Sequence, residues 1–261
     1  LDAVESPRND SWFLCTLGAR RALTFLEQQR DVDGGRLGVY GHSMGGKLTV
    51  MTAGADDRVK AAAPSCGGVS HRGDKNAMLR ATICDNASLK NISCPIMFLS
   101  PTNDFHGRIE DLQSAIKEIK STDWRVTCAA HHQHQDTAEY EVATQLWMDK
   151  YLKGTFSFPQ TPQAELTLDG ENGVPSFLVR PDTSKEILAV DIFYTQQGDA
   201  PARDRFWHHV APTQNSDAWL ADVPLLSTDK PFWVYANVLY ALDKPVTGAG
   251  YYYGTYTTSR F

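Results

Sequence analysis

The chain has 261 residues, 42% of them hydrophobic, enough to bury the core of one large domain or two smaller ones. Its formal net charge of -6 comes without a long run of Lys and Arg, which excludes the basic footprint of a nucleic-acid binder and favours a neutral or small substrate. No apolar stretch is long enough for a membrane span, and LDAVESPRND carries no signal-peptide core. A secreted or periplasmic compartment stays open.

Five cysteines (Cys15, Cys66, Cys84, Cys94, Cys128) are odd in number and lack CxxC spacing. They argue against a zinc ribbon or a disulfide scaffold and leave room for one bridge. Asn-x-Ser sequons at Asn9, Asn86 and Asn91 matter only in a eukaryotic secretory setting.

In chain order, Asp10 or Ser11 caps a helix whose apolar face is Cys15, Ala19, Ala22, Leu23 and Leu26. Asp33-Gly34-Gly35 makes a turn into a strand over Leu37–Tyr40, GHSMGG follows, and Lys47–Ala55 reads as a helix. Val59–Ala63 is a second strand, ended by Pro64. Residues 66–93 show no clear period and read as an irregular excursion near the active site. Pro95–Leu99 is the third strand, followed by a helix with Ile109, Leu112, Ile116 and Ile119 on one side; Trp124–Ala129 is the fourth. A helix through Val142, Ala143, Leu146 and Trp147 ends near Gly154, and a Pro/Thr/Ser-rich stretch follows. This alternation defines an α/β catalytic domain over 1–154 and a linker over 155–162. Beyond it, strand-like runs near Leu166, Phe177, Ile187–Tyr194, Phe206–Val210, Trp219 and Phe232–Tyr240 are separated by turn signals. That spacing predicts an antiparallel β-sandwich over 163–261.

Gly41-His42-Ser43-Met44-Gly45 fits the G-x-S-x-G elbow, in the strand-to-helix context the motif needs. A strained turn there exposes Ser43, small residues at Gly41 and Gly45 let strand and helix approach, and the Met44 amide can donate to an oxyanion. A serine hydroxyl needs a base, and the base needs a carboxylate to fix its tautomer. Asp104, just past the third strand, is the candidate acid; its ordinary alternative is a turn or capping aspartate. The base falls in His131-His132-Gln133-His134-Gln135-Asp136; the turn the loop must make before the last helix inclines the choice to His134 over His132, a choice that rests partly on the resemblance given below. A metal trio of His132, His134 and Asp136 lacks a remote ligand to complete it. No metal and no cofactor are expected.

RLGVYGHSMGG, VKAAAPSCGG, CPIMFLSPTNDFHG and the HHQH segment make the first 154 residues resemble the acetyl xylan esterase and dienelactone hydrolase-like branch of the α/β-hydrolases. The resemblance implies a Ser43–Asp104–His134 triad with Met44 as one oxyanion donor. Serine at the elbow, where some relatives have cysteine, favours ester hydrolysis over thiolate lactone opening. The family pattern has further strands and a second oxyanion loop ahead of the elbow, whereas one helix precedes it here. The hydrolase portion is therefore expected to be N-terminally incomplete, its sheet completed by a second polypeptide or an omitted segment.

The reading that follows is a serine esterase acting on a small-molecule or carbohydrate ester, for instance an acetyl ester of a sugar. A serine peptidase of the same fold is the alternative within catalysis, since the motif alone does not separate them. A carbohydrate-binding or interaction module, stacking ligands on Trp207, Trp219 and Trp233, is the alternative outside it, although tryptophans at strand spacing more often pack in the core.

Overall fold

A computed structural model of the chain describes residues 5–170, 173–248 and 251–260. These fall into two compact units that interleave along the sequence. The first holds the described residues up to Ser100 with His106–Trp124 and Thr144–Phe156; the second holds Pro101–Phe105, Arg125–Ala143 and the described residues from Ser157 on.

In the first unit, helix α1 (Ser11–Glu27) starts at Asp10, whose carboxylate accepts from the Trp12 N–H at 2.7 Å. The helix is where the sequence puts it, but its buried face is not. Thr16 and Leu23 are buried on a line that continues through half-buried Trp12 and Ala19, while Cys15, Ala22 and Leu26 are exposed. The line at 12, 16, 19 and 23 is itself a helical stripe, so period alone did not choose between two adjacent faces.

Strands β1 (Leu37–His42), β2 (Val59–Ser65) and β3 (Ile96–Leu99) pair in parallel in that order. Helix α2 (Met44–Ala55) connects the first two. Strands β2 and β3 are covered on both faces, as inner strands of a parallel sheet are, with Ala61, Ala62, Ala63, Ile96 and Leu99 fully buried, whereas β1 is less covered and Tyr40 on it is exposed. Pro64 lies inside β2 rather than ending it, paired with Gly41. The rungs on either side of it survive, because the Ala62 and Cys66 N–H groups donate to Pro95 and Leu99 at 2.9 Å each. The segment after β2 is also more regular than expected, containing helices α3 (Ala77–Thr82) and α4 (Asp85–Leu89). At six and five residues they are too short to leave a period in the sequence. Helix α5 (Leu112–Glu118) continues a 3₁₀ turn at Ile109–Asp111.

Strand β4 (Trp124–Thr127) and helix α6 (Ala138–Met148) each pass from one unit into the other. A wider π turn at Asp149–Lys153 extends α6 until Gly154, whose φ of 68° closes it in the left-handed region glycine tolerates.

The second unit carries two four-stranded antiparallel sheets beyond Ser157. One has the order β5 (Gln163–Thr167), β6 (Ser176–Arg180), β10 (Ala218–Asp222), β9 (Thr213–Asn215). The other runs β12 (Tyr251–Arg260), β11 (Trp233–Gly248), β7 (Ile187–Thr195), β8 (His208–Val210). Burial alternates with the period of two that strands impose: Phe177 and Val179 on β6, Val190, Ile192 and Tyr194 on β7, Ala236, Val238 and Tyr240 on β11. Strands β9 and β12 were not anticipated. Trp207 is only 1% exposed and meets Tyr235 edge-on at 5.3 Å, so it is a core residue and the three tryptophans do not form one stacking surface.

All five cysteines are thiols. The first unit is tied instead by a buried charge: Lys47, on α2, is 1% exposed, and its ammonium donates to Asp85 Oδ1 and the Ile83 carbonyl, both at 2.7 Å, and to His71 Nδ1 at 2.9 Å. Asp85 Oδ2 accepts the His71 backbone N–H at 2.8 Å. Burial, reinforced by the Lys47 charge, pushes the His71 pKa down and keeps its ring an acceptor. Removing one partner of such a pair strands the other charge. Asp85→Ala is therefore expected to lower the unfolding free energy by about 3–5 kcal/mol in a urea titration. Replacing both charges, Lys47→Met with Asp85→Leu, should restore most of the loss, and an Asp85→Ala protein as stable as the parent would contradict this account.

Candidate active site

The elbow is built in the first unit. Ser43 stands between β1 and α2 at φ 60°, ψ -117°, a conformation that side-chain-bearing residues rarely hold and that costs on the order of 1–3 kcal/mol. Two backbone bonds hold it there: its N–H donates to the Ser65 carbonyl at 2.8 Å, and its carbonyl accepts from the Lys47 N–H at 3.2 Å. The turn is so tight that a Cβ on Gly41 would lie 2.5 Å from the Gly45 carbonyl carbon, and one on Gly46 would run into the Ser65 oxygen. A Cβ on Gly45 would meet nothing within 4 Å. The demand for small residues thus falls on Gly41 and Gly46, not on Gly41 and Gly45. It is the backbone of Gly45, rather than the space beside it, that crowds the strand.

Met44 is the first residue of α2. First-turn amides have no acceptor within their own helix, and the helix dipole there favours negative charge. The Met44 side chain is two-thirds exposed, so its packing sets no requirement; its backbone does.

The carboxylate and the imidazole lie in the second unit, on the loops after β3 and β4. Asp104 is fully buried, and His134 Nδ1 lies 3.0 Å from its Oδ1. The Phe105 ring covers the imidazole at 4.7 Å between centroids. His132 is exposed and faces Gln135 Oε1 at 3.3 Å, and His131 sits near Phe193 and Phe206, where loss of water pushes its pKa down. Of the histidines in this loop, His134 is the one bonded to Asp104. With His134 turned to Asp104 and His132 to Gln135, the trio His132, His134 and Asp136 does not gather as a ligand set among the described residues.

The two loops are laced together. Thr102 N–H donates to the Ala129 carbonyl at 3.1 Å, Asn103 N–H to the His132 carbonyl at 3.0 Å, and His131 N–H to Thr102 Oγ1 at 2.8 Å. Sequence reasoning missed Thr102 and Asn103, although both stand in the SPTND run that drew attention to Asp104.

A parallel strand, a serine at positive φ and a helix leaving directly from it are the features that define the α/β-hydrolases. Residues 14–141 match the model of the Dienelactone hydrolase family, a branch of that fold. No curated protein matches the sequence. Among solved structures, an acetyl xylan esterase from Paenibacillus sp. R4 is similar at 20% identity, covering 57% of this chain and 56% of its own, with a TM-score of 0.48. Acetyl xylan esterase 1 from Thermoanaerobacterium sp. JW/SL YS485 matches at 15% identity over 57% of each chain, TM-score 0.46. A puromycin-hydrolysing peptidase from Mycobacterium tuberculosis matches at 16% identity over 54% of this chain and 25% of its own, TM-score 0.46. The chain thus spans little more than half the length of the esterases it resembles.

The glycine geometry makes a sharp forecast. Gly41→Ala and Gly46→Ala should each lower stability by about 1–3 kcal/mol, because backbone on the facing side has to move. Gly45→Ala should be tolerated or gain up to about 1 kcal/mol from the removal of a helical glycine. Thermal denaturation of the three variants checks the order; equal damage at Gly45 would refute it.

Proposed function

We propose that this chain hydrolyses carboxylic esters through an acyl-enzyme on Ser43. The observation that carries the reading is Ser43 itself, held at positive φ where strand β1 turns into helix α2. The His134–Asp104 bond supports it, since an imidazole held by a carboxylate at Nδ1 keeps Nε2 for the proton it must take.

In this reaction Ser43 Oγ attacks the ester carbonyl carbon while His134 takes its proton. The oxyanion forms beside the Met44 N–H, one donor of the oxyanion hole. The intermediate collapses as the imidazolium returns the proton to the departing alcohol. Water, deprotonated by His134, then attacks the acyl-Ser43 ester and releases the acid. Asp104 keeps the imidazole in the required tautomer and stabilises its charge. The mechanism requires Ser43 and His134 to come within hydrogen-bond reach, and it asks for no cofactor.

The substrate class we favour is small carboxylic esters, with acetyl esters of carbohydrates first, as the sequence resemblance implies. We assign residues 1–154 to the hydrolase portion and 155–162 to a linker. Residues 163–261 we take as a β-sandwich whose layers are the two antiparallel sheets.

On p-nitrophenyl acetate, Ser43→Ala should lower kcat/KM by on the order of 10⁴-fold or more, and His134→Ala comparably. His132→Ala should stay close to the parent. A fluorophosphonate probe should label the parent at Ser43, read by peptide mass. Parent-like turnover in Ser43→Ala would overturn the reading, and faster turnover of a peptide anilide than of acetyl esters would move it to the peptidase.

A further inference from the structure

The second unit does more with its strands than fold beside the acid and base. Asn103, next to Asp104, is 6% exposed, and its carboxamide Nδ2 donates to the carbonyls of Ala202 at 3.0 Å and Arg205 at 2.5 Å. Those carbonyls belong to a 3₁₀ turn at Ala202–Asp204 and the residue that ends it. That turn is braced in its own right. Arg205 donates from Nε to the Ala200 carbonyl at 3.0 Å and from Nη2 to the Gly198 carbonyl at 3.1 Å, and its guanidinium lies 4.4 Å over the ring of Trp233 at the start of β11. Four residues along β11, Asn237 Nδ2 donates to the Cys128 carbonyl at 2.9 Å, at the base of the loop that carries His134. One strand thus reaches both loops, the acid's through Arg205 and Asn103, the base's through Asn237.

We propose that Asn103 is a positioning residue for the acid–base pair, fastening the Asp104 loop to the β11 side of the unit so that Asp104 and His134 keep their bond. Chemistry favours this over a merely structural role for the side chain. Both carboxamide hydrogens are spent on carbonyls of a distant, braced turn, and its Oδ1 accepts from Thr102 Oγ1 at 2.7 Å. That hydroxyl in turn accepts the His131 N–H, so the Asn103 side chain fastens its own loop to the anchor and, through Thr102, is linked to the loop of the base. A backbone shift of about 1 Å at a catalytic group can lower turnover on the order of 10²-fold. The proposal rests on the ester-hydrolase reading for its kinetic arm and is independent of it for its spectroscopic arm.

The test is Asn103→Ala in the full chain, with two readouts. One is kcat and KM on p-nitrophenyl acetate; the other is the ¹⁵N shifts of the His134 imidazole, which report its tautomer and its bond to Asp104. The expected result is a kcat lowered on the order of 10²-fold with KM little changed, and His134 shifts moved toward those of a solvent-exposed imidazole. Asn237→Ala should move the same shifts by less. Unchanged shifts in a folded Asn103→Ala protein overturn the proposal, since a side chain that only stabilises the sheets would leave the imidazole as it was. If that variant does not fold, Asn103→Ser is read in the same way, and unchanged shifts there overturn it equally. A parent protein without esterase activity would sink the functional reading alone; the shift comparison would still decide the positioning role.

Discussion

The turn at Ser43 is the constraint from which the first unit is organised. Backbone lies against backbone there, Gly41 under Gly45 and Gly46 against Ser65, and the strand and helix have no slack in which to adopt another angle. Conformational strain on the order of 1–3 kcal/mol survives only where surrounding structure over-determines it. The parallel strands supply that, through the Ser65 carbonyl, which receives the Ser43 N–H, and through the β1–β2 ladder that runs up to it. Lys47 adds a second restraint four residues along, fixing the first turns of α2 to the Asp85 carboxylate. The unit thus spends backbone strain and a buried charge on presenting one hydroxyl.

The second unit reaches a comparable end by different means. Its acid and base stand on loops, where positions are ordinarily soft, and the rigidity comes from cross-bracing rather than strain. Amide and hydroxyl groups of Thr102, Asn103 and His131 bind the loops to each other, the Asn103 side chain binds one of them to the turn at Ala202–Arg205, and Asn237 binds the other to strand β11. The buried Asp104 carboxylate, costly unless hydrogen-bonded, has His134 Nδ1 3.0 Å from its Oδ1.

Much of the first unit was legible because its signals are local. A glycine-flanked serine between an apolar run and a helical stripe can be read within a dozen residues, and so can the strands around Val39, Ala62 and Phe98. What escaped was decided by tertiary context. The buried side of α1 is the 12-16-19-23 line, which its sequence does not distinguish from the neighbouring stripe. Pro64 ought to break a strand but stays in one, because the neighbouring rungs carry the pairing. Strand β9 is three exposed residues and offers no alternation to detect, whereas the Tyr and Thr of β12 were readable and overlooked. Near the acid, Asp104 announces itself by following a strand, but nothing within reach of Asn103 in the sequence shows that its partners are the carbonyls of Ala202 and Arg205.

Those partners lie 99 and 102 positions further on, and the Asn237 bond to Cys128 spans 109. The chain crosses between its two units five times, after Ser100, Phe105, Trp124, Ala143 and Phe156, so no single cut separates them. Contacts of such long range must meet the entropy of loop closure before they return any stability, which makes them late events in folding. In a chain made from its N-terminus, the elbow serine can take its strained turn once β2 is present. The loop holding Asp104 must wait for about a hundred further residues before its brace exists, so the nucleophile's setting matures well before the setting of the acid and base.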